Sequence, residues 1–284
     1  MSRIRLISID IDGTLLNSQN ELSAANLSAL HRAHDEGIQI VLGTGRRHAF
    51  ALPIAEALGF DLWMISSNGA VTRSTRDEHF FMDLLPAKVA RDLCIYMGDE
   101  FRANTVITFE RPGKGALIVE RTDELTESIQ RWIEKNSQFI EFIVPIETGI
   151  VTDPIQAMFC GTIAKMELAQ AKLLAWPGRD QVTVLKTQYD HRNLCIVDIL
   201  NRDCSKGHAL QRFADSRGIS RDEIVAIGDN FNDIEMLQVA GHPFIMGNAS
   251  NELKQNGWPV TLTNDESGVA AVIDQVLAEA TTNA

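Results

Sequence analysis

Cysteine is scarce in this chain, four among 284 residues, at positions 94, 160, 195 and 204. None of Cys94, Cys160, Cys195 and Cys204 belongs to a Cys-x-x-Cys pair, and their surroundings are apolar or mixed. That argues against a zinc site and a disulfide framework, and buried reduced thiols are expected. Basic charge is also short, 26 Lys and Arg against 38 Asp and Glu, for a formal net charge of -12. Such a chain repels polyphosphate backbones and anionic lipid, so neither nucleic acid nor a membrane surface is expected as a partner. Long hydrophobic runs are missing: no stretch approaches the ~18 uninterrupted apolar residues a bilayer span requires. The segment from Met1 to Ile11 alternates charge with Ile and Leu, unlike a signal peptide, which points to the cytoplasm. There is no internal repeat and no low-complexity tract, only a small polar tail, Thr281 to Ala284, expected to fray.

What is present is ordinary globular material, 45% hydrophobic and 23% charged, in a chain long enough for two domains. The first ~80 residues alternate strand and helix signals. Ile4 to Ile9 is a β-branched and leucine run; Ser23 caps an amphipathic stretch with Leu27, Leu30 and Ala33 that stops at Gly37. Ile38 to Leu42 reads as a second strand. A helix from about Ala49, kinked or delayed by Pro53, ends at Gly59 before a third strand, Trp63 to Ile65. The texture returns near the end, where Lys206 to Arg217 reads as a helix and Ser220 to Glu223 as a capping box before the strand Ile224 to Ile227. This order implies an α/β fold, a doubly wound, three-layer, Rossmann-like parallel sheet built from residues 1-84 and 201-284. Between them, residues 85-200 change rhythm: hairpin-like strands at Val106 to Phe109 and Ala116 to Glu120, helices at Glu124 to Lys135 and Met166 to Trp176, then strands at Val182 to Leu185 and Cys195 to Leu200. That segment is expected to be an inserted α+β domain.

The chemistry gathers where strands end. Asp10-Ile11-Asp12-Gly13-Thr14 follows the first strand directly, and ligands of open α/β sheets collect at the carboxyl ends of strands. Residues two apart on an extended strand face the same way, so Asp10 and Asp12 repel each other unless a cation or a turn separates their roles. A strand-ending Asx turn is the plainer alternative. Gly228-Asp229-Asn230-Phe231-Asn232-Asp233 follows the strand Ile224 to Ile227, as a second acidic group or a solvated turn capping the next helix. If the two strands are neighbours, Asp10, Asp12 and Asp229 offer hard oxygen ligands to one octahedral Mg2+ that also accepts a phosphate oxygen. Gly43-Thr44-Gly45-Arg46 offers a hydroxyl and backbone N-H groups at a helix start, where an anion is favoured, without forming a Walker loop or a dinucleotide fingerprint. Lys206 opens a helix, where a cation opposes the macrodipole; it is either a solvated surface lysine or a phosphate partner.

Asp10-x-Asp12-Gly13-Thr14, Thr44-Gly45-Arg46, Ser205-Lys206-Gly207 and Gly228-Asp229-x-x-Asn232-Asp233, in that order, resemble the four-motif signature of the haloacid dehalogenase-like superfamily. More narrowly, the chain resembles its Cof-type phosphatases, which carry a large α/β cap between the second and third motifs. Ser67-Asn68-Gly69-Ala70, Met246-Gly247-Asn248-Ala249 and Asp265-Glu266-Ser267-Gly268-Val269 extend the similarity to nearly the whole chain. Gly43 stands where the pattern usually has Ala, and Asn256-Gly257-Trp258-Pro259 replaces a small-residue run; neither touches a catalytic group.

The resemblance implies a Mg2+-dependent phosphatase of small phosphorylated metabolites, such as sugar phosphates or phosphorylated cofactors. Asp10 is then the nucleophile that forms an aspartyl-phosphate, and Asp12 the general acid and base. In the family the Asp12 position lends its backbone carbonyl to the metal, Asp229 completes the protein ligands, and Asp233 orients a water on the metal or Lys206. Thr44, Gly45, Lys206 and the Asn232 amide would take the phosphoryl oxygens. The inserted domain would act as a lid that chooses the substrate, with Arg46 and Arg47 as candidates for further anion contacts. Three rivals stand beside this reading: a phosphomutase with the same chemistry, a non-enzymatic phospho-acceptor module of the receiver type, and a halide-releasing hydrolase. Length speaks against the receiver, and Asp12 with Asp229 against the halide reaction. Oligomeric state is not legible.

Overall fold

The computed structural model describes residues 3-282. In chain order its first elements are β1 (Leu6–Asp10), α1 (Ala24–Asp35), β2 (Gln39–Gly43), α2 (His48–Glu56), β3 (Trp63–Ser66), β4 (Val71–Ser74) and β5 (His79–Met82). There follow α3 (Ala87–Met97), β6 (Thr105–Thr108), β7 (Leu117–Val119), α4 (Glu127–Lys135), β8 (Ile140–Phe142), β9 (Gln156–Gly161), α5 (Ile163–Leu174), β10 (Val182–Tyr189) and β11 (Leu194–Asn201). The last are α6 (Lys206–Ser216), β12 (Ile224–Gly228), α7 (Ile234–Val239), β13 (His242–Ile245), α8 (Asn251–Lys254) and α9 (Gly268–Thr282). The chain divides into two units, Met1–Met82 with Ser205–Ala284, and Asp83–Cys204. Of the tail expected to fray, residues 281 and 282 close α9 and residues 283 and 284 lie outside the described residues.

The first unit holds a seven-stranded sheet in the order β13-β12-β1-β2-β3-β4-β5. Every pairing from β13 to β3 is parallel. The side-chain period of two sorts β1 between layers: Ile7 and Ile9 pack with Leu30 and Ala33 of α1 and Ile273 of α9, while Leu6 on the opposite face joins Leu210 and Phe213 of α6. Both faces are therefore covered, as a parallel sheet with crossover helices demands. Ser23 caps α1 by accepting from the Asn26 N-H. The capping box at Ser220 is present, but it opens a single 3-10 turn, Arg221–Glu223, ahead of β12. Pro53 does not delay α2, which starts five residues earlier at His48. The parallel sheet is also extended by an antiparallel hairpin, β4 and β5, that the sequence reading lacked. Its outer strand has no apolar alternation, the sequence His79-Phe80-Phe81-Met82 being half-buried or exposed throughout.

The second unit is a six-stranded sheet in the order β10-β11-β9-β6-β7-β8, antiparallel except between β7 and β8. Ala157 and Phe159 of β9 and Val197 and Ile199 of β11 pack with α3 and α5 through Leu93, Met166 and Leu173. It thus has its own apolar core.

Within the first unit, β1 lies between β12 and β2. The chain leaves β1 toward β2 on one side and returns much later to β12 on the other, which makes the carboxyl end of β1 a topological switch point and opens a crevice there.

Candidate active site

β1 delivers Asp10 to this crevice, β12 delivers Asp229 one residue beyond its end, and the turn Phe231–Asp233 brings back Asp233. α6 starts beside them with Ser205 as N-cap and Lys206 as its first residue. All four side chains are buried, Lys206 completely. The Lys206 ammonium donates to Asp10 Oδ1 at 2.6 Å and to Asp233 Oδ1 at 2.7 Å. A lysine at a helix start opposes the macrodipole, and here two carboxylates compensate it. Asp233 is fully committed: its other oxygen accepts from the backbone N-H groups of Asp229 and Asn230, both at 3.0 Å. Asp229 accepts from the Thr14 hydroxyl at 3.1 Å. Gly13 has φ +85, and a Cβ there would run into the Asp229 carboxyl, so the turn after β1 needs glycine for both conformation and space.

Three carboxylates crowd one ammonium in a buried place, and two of them, Asp10 and Asp229, are pushed up. Burial and the neighbouring Asp233 push the Asp10 carboxyl up to about 7 against the pull of Lys206. Burial and Asp10 raise Asp229 well above the ordinary carboxylate value. Burial opposes the charge of Lys206, yet Asp10 and Asp233 hold it above its ordinary value. Among the described residues, Asp10, Asp229 and Asp233 can each point one oxygen so that all three lie within 4.8 Å of one another. Hard oxygen donors with surplus negative charge fit a divalent cation. Because Lys206 and two N-H groups already occupy Asp233, Asp10 and Asp229 are the carboxylates with capacity to hold it.

Asp12 is placed differently. Its carboxylate turns to Arg46, which donates from Nε to Oδ2 at 2.8 Å and from a terminal nitrogen to Oδ1 at 2.5 Å. The structure therefore leaves its side chain out of the acidic group, and of the three acids first offered to a metal only Asp10 and Asp229 meet there. Thr44 is buried just past β2, whose Gly43 pairs with Asp10, and its hydroxyl accepts from the Arg46 N-H at 3.1 Å. Gly45 lies against Asn68, which would stand 3.2 Å from a Cβ at that position. Asn232 donates its amide to Asn68 Oδ1 at 2.8 Å.

Four participants had no role assigned from sequence: Thr14, Asn68, Asn248 and the grip of Arg46 on Asp12. Asn68 (φ 54) follows Ser67 (φ 49), two left-handed non-glycine residues in succession, and the Asn68 N-H donates to the Thr44 carbonyl. Backbone held in that region marks a place where the surroundings enforce a geometry. Asn248 donates to the Gly13 carbonyl at 2.8 Å. Both asparagines lie in stretches that resemble the family, but their partners are far away in sequence.

The comparisons with known proteins identify the family. A model of haloacid dehalogenase-like hydrolases matches residues 7-273. The chain is 31% identical to the phosphatase YwpJ of Bacillus subtilis, covering 96% of this chain and 100% of that one. It is 32% identical to the 5-amino-6-(5-phospho-D-ribitylamino)uracil phosphatase YwtE of the same species, over 97% of this chain and 99% of the other. A solved haloacid dehalogenase-like hydrolase from Bacillus subtilis superposes with a TM-score of 0.77 at 28% identity, covering 95% of this chain and 99% of that one. With the match running through both units and all four motifs, the chain belongs to the haloacid dehalogenase-like hydrolases.

Proposed function

We propose that this phosphoric monoester hydrolase removes phosphate from small phosphorylated metabolites with Mg2+, through a phosphorylated Asp10. The observation that carries the reading is the meeting of Asp10, Lys206, Asp229 and Asp233, from three separated stretches of chain, in one buried group. Asp10 and Asp229, with the Asp12 carbonyl that the resemblance adds, are the groups that would hold Mg2+. When bound, Mg2+ neutralises the surplus charge and withdraws electrons from the phosphate.

An oxygen of Asp10 attacks phosphorus, and the bond from phosphorus to the ester oxygen breaks. Asp12 gives its proton to that leaving oxygen. Water then attacks the phosphoryl group on Asp10 and passes a proton to the Asp12 carboxylate, which restores both residues and releases inorganic phosphate. Lys206, Thr44 and the Gly45 N-H offset the charge on the transferring oxygens, while Asp233 fixes Lys206 and the backbone after β12. We assign choice of the leaving group to the second unit. A small phosphorylated metabolite is supported by YwtE, whose named substrate is a phosphorylated ribitylamino-uracil.

The test is release of inorganic phosphate from a panel of sugar phosphates and phosphorylated cofactors, with Mg2+ and with EDTA. Many turnovers that EDTA stops support the reading. A single stoichiometric burst, or turnover indifferent to EDTA, defeats it, and an accumulating isomeric sugar phosphate identifies a mutase.

A further inference from the structure

The grip of Arg46 on Asp12 is a bidentate fork, the geometry in which a guanidinium fixes a carboxylate in direction as well as place. Both side chains are about one-third exposed, 31% and 30%, so the pair adds little as a surface ion pair. The backbone under Arg46 is fixed from two sides: its N-H donates to the Thr44 hydroxyl at 3.1 Å, and its carbonyl accepts from the Ser67 N-H at 2.8 Å. The guanidinium is therefore mounted on the stretch that also presents Thr44 and Gly45, and it reaches the acid two residues beyond Asp10. The Asp12 backbone lies in a turn closed by the Leu15 N-H on the Asp10 carbonyl and the Leu16 N-H on the Ile11 carbonyl, and Arg46 bonds both oxygens of its carboxylate.

We infer that Arg46 is the positioning residue of Asp12, aiming its carboxyl at the ester oxygen and then at the incoming water, and does not serve as a clamp on the substrate phosphate. This rests on the functional reading above. For each proton transfer one of the two N-H···O bonds opens, so that one Asp12 oxygen faces the reacting group while the other stays on Arg46. The proton goes from Asp12 to the leaving oxygen in the first half and from water to Asp12 in the second, and Arg46 keeps its charge and its protons throughout.

A double-mutant cycle decides it, with p-nitrophenyl phosphate as probe and Mg2+ present. A residue that acts through another loses its effect once the other is gone. Arg46→Ala is expected to lower kcat by about 10- to 100-fold while KM moves less than about threefold, the size of a misaligned catalytic group. In the Asp12→Asn background the same change is expected to alter kcat by less than about threefold. Arg46→Lys, which keeps the charge but cannot bond both oxygens, is expected to fall with Arg46→Ala, and thermal midpoints of all variants near the parent exclude misfolding. Equal losses in both backgrounds, a rise in KM with kcat retained, or full rescue by Arg46→Lys would each overturn the assignment. If the parent protein releases no phosphate from any probe, the functional reading falls first; if it turns over and Asp10→Asn does not, an additive cycle removes the role of Arg46 alone.

Discussion

Each unit holds a cation between two acids, buried in the first unit and half-buried in the second, and the two clusters have opposite characters. In the second unit Arg102, with its side chain 11% exposed, bonds Glu120 at 3.2 Å and Glu147 through two nitrogens. Glu120 also accepts the Ile146 N-H at 2.9 Å. The hydrogen bonds from Arg102 hold Glu147 below the usual carboxylate range, so the charges there are settled. In the first unit Lys206 bonds Asp10 and Asp233, but Asp229 stands beside them, and Asp10 and Asp229 are both pushed up. An ionic group whose carboxylates are satisfied by an arginine fork and a backbone N-H acts as a brace; a buried one crowded by a further carboxylate is a receptor waiting for a counter-charge. The same ingredients thus yield architecture in one place and chemistry in the other.

The sharpest way to test that contrast is to remove one charged group from each cluster and ask what is lost. Asp10→Asn is expected to lower phosphate release by at least about 10³-fold, as for other catalytic nucleophiles, without lowering the thermal midpoint, because it relieves crowded negative charge. Turnover is read by phosphate release and folding by thermal unfolding. Arg102→Met should do the reverse. Breaking a fully buried ion pair from one side costs about 3–5 kcal/mol and this half-buried one should cost less, so the midpoint should fall while the folded fraction keeps its kcat; a selective loss of kcat would erase the distinction between brace and receptor.

Protonation offers a subtler test. Asp10 titrates near 7 in the folded protein against 3.8 as its ordinary value, and Asp229 is raised as well. The folded state therefore binds more protons than the unfolded state between about pH 4 and 7, and stability without metal should fall as pH rises through that window. At one Mg2+ concentration the ion should stabilise the fold more at pH 7.5 than at pH 5, the gain reaching about 2.7 kcal/mol wherever that concentration is a hundred times its dissociation constant. A gain independent of pH, followed by calorimetry, would place the ion elsewhere. The smallest expected effect concerns thiols. Burial pushes Cys94 and Cys160 up to about 12 and Cys195 up to about 11, so iodoacetamide at pH 8 should leave all three unmodified in the native protein. Rapid labelling of any of them would show that its unit opens readily.

The parts legible in sequence were those written locally. The apolar runs of β1, β2 and β12 announce strands, Ser23 and Ser220 announce caps, and the acids at strand ends announce chemistry. Of the elements that escaped, β5 lacks a local signature, whereas α3 has one in Val89, Ala90, Leu93, Cys94 and Met97. Residues 79-82 alternate nothing, and α3 and β9 went unread among the mixed signals of the inserted segment. Within the site, positions 10, 206, 229 and 233 were readable as motif members, but the pairing of Asp12 with Arg46, or of Asn232 with Asn68, is a fact about partners separated by 34 and 164 positions. Such partnerships depend on how β1, β2 and β12 sit side by side, which no short window of residues contains.

That arrangement bears on how the molecule is made. β1 is made more than two hundred residues before one of its two hydrogen-bonded neighbours, β12, which is complete only at residue 228. Until then the nascent chain carries an unpaired apolar strand edge, the kind of surface that recruits foreign strands. Synthesis halted anywhere in the intervening segment therefore leaves β1 with one edge unpaired and Asp10 without Asp229 and Asp233.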